Sequence, residues 1–149
     1  MSHVVLISVE IHDLNALKLA CKALELEFRE NQKTYKWFGR SVGNYKRPDG
    51  FSSSDLGRCE HAIGIKNNKD AYEIGVCNSK TGKGYGLLWD FWNGGYGLEN
   101  EVGPGCNKLV HEYAKQVARK HAQSLASQGW TVSEADNEQG ETVITLRRY

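Results

Sequence analysis

Residues 4–11 form a β-branched, largely apolar run with Val5, Ile7, Val9 and Ile11 on one face, the pattern of an inner strand. Asp13 follows in N-cap position, and Leu14, Leu17, Cys21, Leu24 and Phe28 recur at helical spacing. That periodicity predicts a helix carrying one apolar stripe to a sheet. Thr34 to Phe38, rich in aromatics, reads as a strand ending at Gly39. The period then disappears over residues 39–58, where glycines, serines and Pro48-Asp49-Gly50 predict a long loop. Short strands are expected over 61–66 and 71–77, joined by the turn Asn67-Asn68-Lys69-Asp70, and over 85–92 after a turn at 79–84. Five glycines and Pro104 make residues 93–106 a second flexible stretch. Asn107 is expected to cap a long helix whose inner stripe is Val110, Tyr113, Ala114, Val117, His121 and Leu125, and Gly129 stops it. Residues 130–135 and 142–148 complete a C-terminal hairpin.

Strand, helix, several antiparallel strands, helix and hairpin is the order of an α+β fold. The simplest arrangement is a two-layer sandwich, a mainly antiparallel twisted sheet with two helices on one face. Without an internal repeat or low-complexity tract, residues 1–149 form a single domain. The size suffices for a core that needs neither disulfide nor metal. No apolar run reaches the roughly 18 residues of a membrane span, and no basic leader precedes the first strand, so a cytoplasmic protein is expected.

Charge alters the picture locally. Nineteen Lys and Arg against eighteen Asp and Glu exclude a globally basic nucleic-acid coat. From Arg29 to Arg58, however, seven basic residues face three acidic ones, a local charge of +4, interleaved with Tyr35, Trp37, Tyr45 and Phe51. Cations neutralise phosphate and aromatic faces stack on bases, at about 1–3 kcal/mol per base. Arg40, Lys46, Arg47 and Arg58, with Tyr35, Trp37 and Tyr45, are therefore candidate ligand-binding residues. A charged loop beside core aromatics would give the same pattern. A second constellation, Trp89-Asp90-Phe91-Trp92, lies in a stretch from 85 to 105 that contains no Lys or Arg. Trp89, Asp90 and Trp92 join the candidate set, the carboxylate as a ligand anchor or as a structural charge.

Catalytic and metal chemistry find little support in the pattern. The cysteines at 21, 59, 77 and 106 lack the paired spacing of a zinc or redox site. Cys59 and His61 stand two apart and would share a strand face, but no orienting group is identifiable. Gly82-Lys83 lacks the full phosphate-loop spacing and joins two strands. No cofactor is implied.

Across most of its length the chain resembles the family catalogued as domain of unknown function 1257, the hypothetical chloroplast reading frame thirty-five type. The likeness is carried by Met1-Ser2-His3, Asp13-Leu14 with Ala16-Leu17, and Ala71-Tyr72-Glu73-Ile74-Gly75-Val76. It continues through Leu88-Trp89-Asp90-Phe91-Trp92, Leu109 with Tyr113-Ala114, Gly129-Trp130 with Val132, and Leu146-Arg147-Arg148. The resemblance implies a small α+β protein of plastid, cyanobacterial, bacterial or phage origin and no established reaction. The 39–58 and 93–106 segments depart from the family pattern. The leading expectation is a non-enzymatic module that binds, and by binding sequesters, a phosphorylated, base-containing ligand such as a nucleotide signal or short nucleic acid. The alternative is a protein-interaction adaptor, with an ATPase partner implied by the family's bacterial settings and a homo-oligomer through the C-terminal edge strand. A small enzyme using Cys59 and His61, or Asp90, ranks third.

Overall fold

The computed structural model describes all residues except 1–3, 8, 38–47, 49–50, 53, 81–82 and 149. Its elements are β1 (Val4–Leu6), α1 (Leu14–Ala23), β2 (Leu26–Arg29), β3 (His61–Ile65), β4 (Ile74–Asn78) and β5 (Tyr85–Asp90). They are followed by α2 (Leu98–Val102), α3 (Asn107–Ala126), β6 (Trp130–Asp136) and β7 (Thr142–Arg148). The first five strands form one antiparallel sheet in the order β1-β5-β4-β3-β2, and β6 and β7 form a separate two-stranded sheet. The α+β class read from the pattern holds.

Strand alternation divides the core in two. Ile63, Ile74, Val76, Leu87 and Trp89 project to one face and pack with Leu17, Ala20 and Cys21 of α1 and with Leu109 and Tyr113 of α3. Ala62, Cys77 and Leu88, from the intervening positions, project to the other face. Tyr35, Phe51, Leu56 and Cys59 cover that face, all from the β2–β3 connection. The sheet thus carries helices on one side and a folded-back connection on the other.

Several local expectations are corrected. The apolar run at 4–11 gives an edge strand, not an inner one: β1 ends at Leu6, and among the described residues after it Ile7 and Ile11 continue the pairing, through bonds to Leu87 and Tyr85. Helix α1 ends at Ala23 because Glu25 turns into the left-handed region (φ 59°), so Leu26 and Phe28 belong to a strand rather than to the helical stripe. Of the expected 34–38 strand, the described residues 34–37 make a single bridge, Thr34 to Arg58, and Phe38 lies outside the described residues. The stretch from 93 to 106 is built, not structureless. Asn93, Gly94, Gly95 and Tyr96 follow one another at φ 52–64°, a left-handed turn that α2 succeeds, and Leu98, Val102 and Cys106 are buried beneath it. Asn107 lies inside α3 rather than capping it, the cap position being Cys106 at φ 66°. The buried stripe of α3 is Leu109, Tyr113 and Ala122, while Val117 is exposed.

Candidate functional site

The face under the β2–β3 connection is shaped by small residues. A Cβ on Gly75 would fall inside the Tyr35 ring, one on Gly57 inside the Trp37 indole, and one on Gly64 within 2.7 Å of the Arg29 guanidinium carbon. The glycines therefore let large side chains lie flat on the backbone. Tyr35 N–H donates to the Gly57 carbonyl (3.0 Å) and Cys59 N–H to the Lys33 carbonyl (2.9 Å), fastening both ends of the cover. Glu73 anchors it electrostatically. Its buried carboxylate accepts from the Lys36 backbone N–H and from Gln32 Nε2, each at 2.8 Å, and pairs with Arg29. Nothing in the hydrophobic pattern marks Glu73 as special, since a charged residue at a strand entrance ordinarily faces water.

The candidate residues that the structure describes do not share one surface. Tyr35 is buried, and burial, more than the nearby thiols and Asp90, pushes its ionisation upward. Trp89 lies on the opposite face, in the helix-side core, so it shares no surface with Tyr35. Asp90 is fully buried and accepts the Trp92 N–H (3.0 Å), thereby fixing the start of the left-handed turn. Trp92 and Tyr96 are exposed, at 38% and 45%, and the Tyr96 ring meets Tyr72 edge-on at 5.0 Å. Trp37 is half-buried and Arg58 exposed. Arg40, Tyr45, Lys46 and Arg47 lie outside the described residues.

A hollow of about 180 Å³ between the cover and the end of β4 is lined by Phe51, Arg58 and Lys80, and also by Asp55 and Glu60. Lys80 pairs with Asp55 (3.4 Å) and stands over the Phe51 ring, and Lys33 bonds Glu60 (2.8 Å), so both carboxylates of the lining are already paired with lysines.

Cys59 and His61 are held apart. Cys59 belongs to the cover and donates to the Gln32 carbonyl (3.2 Å), whereas His61 stacks near Phe28 and Tyr85 and accepts the Asn31 N–H (2.9 Å). The expected shared strand face is absent because Cys59 precedes β3 and follows the cover's backbone instead. Burial, reinforced by the charges of Glu73 and Glu60, pushes the Cys59 thiol up to about 12. Among the described residues no group of three or more His, Cys, Asp or Glu could hold a metal ion. No helix of the described residues is long and apolar enough to cross a membrane.

A second concave surface has no counterpart among the sequence expectations. The C-terminal half of α3 carries the β6–β7 sheet, and between them lies a groove of about 430 Å³ lined by Ala122, Ala126, Val132 and Ile144, with Arg119 and Glu134 at its side. Arg119 grips Glu134 with two guanidinium nitrogens, tying β6 to the helix. Its sequence signal was weak: the apolar positions are spread over a helix end and two strands, and none forms a dense cluster. Apart from Trp130 and the alternate residues Thr142, Ile144 and Leu146, which are half-buried, the hairpin strands are exposed. Compared with family models, curated proteins and solved structures, the chain finds no match.

Proposed function

We propose that the chain is a non-enzymatic protein-interaction module, an adaptor that takes another polypeptide along its C-terminal hairpin. The observation that carries this reading is the separation of β6 and β7 from the main sheet, which leaves both outer edges without a strand partner among the described residues. An open edge presents a row of backbone donors and acceptors that another strand satisfies. Two-stranded hairpins are marginal on their own, so a partner strand adds stability where the fold lacks it. Of the partners the family resemblance implies, an ATPase is the one to test. Affinity capture with the wild-type chain and with Thr142→Pro is the direct experiment. The expected result is a stoichiometric partner whose recovery falls in the variant. Equal recovery with both, or no partner at all, a second copy of the chain included, overturns the reading.

A phosphorylated, base-containing ligand is the second proposal. It rests on the half-buried Trp37 indole lying over Gly57 beside the exposed Arg58. It ranks second because Tyr35 and Trp89 spend their aromatic faces on the two cores. Calorimetry against a panel of nucleotides, with Trp37→Ala and Arg58→Ala as controls, tests it. Saturable heat lost in both variants supports it, and the absence of heat up to millimolar ligand overturns it.

A further inference from the structure

We propose that the strand taken by the β7 edge is the β7 of a second copy, paired antiparallel about a two-fold axis at Ile144 to make a four-stranded sheet β6-β7-β7-β6. This rests on the interaction-module reading and names its partner.

The hydrogen-bond alternation selects the outward groups. Asn137 N–H donates to the Glu141 carbonyl (2.8 Å), and β6 and β7 run in register from Asp136 opposite Thr142 to Trp130 opposite Arg148. Antiparallel pairs alternate between bonded and non-bonded positions, so residues 143, 145 and 147 turn their backbone groups to β6. The N–H and C=O groups of Thr142, Ile144 and Leu146 then point away from it. These are also the half-buried positions on the α3 side, where Ile144 lines the groove.

Symmetry leaves few registers. Helix-side residues must oppose helix-side residues, because directly opposed side chains share a face. With the axis at Ile144, Thr142 meets the second copy's Leu146 and Ile144 meets its own counterpart. On the outer face the 47%-exposed Val143 meets Thr145, and Glu141 meets Arg147. That last pair is formed twice, and both of its members are exposed in the single chain. Moving the axis to Thr145 places Arg147 opposite Val143 and Arg148 opposite Thr142, with no charge partner for either. The other edge has no such complement: β6 carries Glu134 and Asp136 and no basic residue. Joining β7 of one copy to β6 of the next would produce an open chain of molecules rather than a closed pair. Two strand spacings separate the two hairpin centres by about 10 Å, close to the spacing of packed helices, so the two α3 helices, each lying over its own hairpin, come into packing range.

The test is the mass of the full chain by analytical ultracentrifugation, with circular dichroism as the check on folding. The wild type is expected to form a dimer. Glu141→Arg alone and Arg147→Glu alone should each weaken it by about tenfold or more, and the two substitutions together should restore it. Thr142→Pro, which removes an outward N–H, should give a folded monomer. A monomeric wild type overturns the proposal, as does a dimer indifferent to the charge exchange; if Thr142→Pro fails to fold, the charge exchange decides alone. Should the wild type be monomeric while capture of another protein still depends on Thr142, self-pairing falls and the interaction module stands. Should both fail, both fall.

Discussion

Glu73 shows how a single side chain can hold a whole connection in place. Its carboxylate is buried and accepts from Gln32 and the Lys36 backbone while pairing with Arg29, so it joins β2, β4 and the cover. Glu73→Ala leaves the Arg29 guanidinium and the Lys36 N–H without their acceptor and should cost about 2–3 kcal/mol in urea denaturation. Glu27, which also pairs with Arg29 but is half exposed, should cost under about 0.5 kcal/mol when changed to Ala. Equal effects would remove Glu73 from this role. The cysteines make a second prediction at this scale. Burial pushes all four thiols, Cys21, Cys59, Cys77 and Cys106, up to about 12. At pH 8 the thiolate is therefore only about one part in ten thousand. Ellman's reagent should find no fast-reacting thiol in the native protein and four after denaturation; one rapid equivalent before unfolding would contradict the burial. The sequence pattern made Cys21 a core residue correctly, because its helical spacing is explicit. Tyr35 could not be settled that way: an aromatic beside a basic loop reads alike whether it covers a glycine or waits for a ligand.

At the level of elements, local chemistry was most legible where a residue acts on its own neighbours. Asp13 caps α1 as its position suggests, accepting from Ala16 N–H (3.0 Å), and Lys120 of α3 adds a 2.8 Å bond to the same carboxylate. The Lys120 bond first, and the Ala16 N–H next, hold the Asp13 carboxyl below its usual range. A lowered folded-state pKa contributes stability that is present above the unfolded value, near 4, and lost as pH falls through the folded one. Asp13→Ala should lower stability by about 1 kcal/mol at neutral pH, with the difference from wild type shrinking below about pH 4. Denaturation curves at pH 7 and pH 3 decide this, and a difference that grows in acid reverses the sign. What was not legible depended on long-range placement. Leu24 and Phe28 fit a helical stripe, yet Glu25 turns the chain, and Leu26 with Phe28 then fits a strand equally well. Val117 continues the spacing of α3, yet its side chain is exposed, although Lys120 farther along the helix still reaches Asp13, the cap of α1. The glycines of 93–106 looked like licence for disorder and instead supply part of a run of positive-φ residues, bonded into the core where Gly95 accepts the Tyr72 N–H (2.9 Å).

Over the whole molecule, burial is distributed very unevenly, and this asymmetry governs its dynamics. Strands β4 and β5 each have a neighbour on both sides, with α1 and α3 on one face and the cover on the other, and Ile74, Val76, Leu87 and Leu88 are fully buried. Their amides can exchange with solvent only when both layers come apart, which approaches global unfolding. Among the described residues the β6–β7 sheet has neither a covered second face nor a third strand, and it is fastened mainly by Arg119 to Glu134 and by one set of half-buried side chains. Local opening of that hairpin leaves both main cores intact. Hydrogen exchange followed by mass spectrometry should therefore show β4 and β5 as the slowest segments and β6 as much faster, by orders of magnitude in rate. The groups that distinguish an isolated hairpin from a paired one are the outward N–H groups of Thr142, Ile144 and Leu146. If the β7 edge finds its partner strand, these amides slow as protein concentration rises, while β6, still an edge, changes little. Uniform protection across both sheets at low concentration would mean that the hairpin is integral to the main core, and the physical basis for treating it as a docking element would be gone.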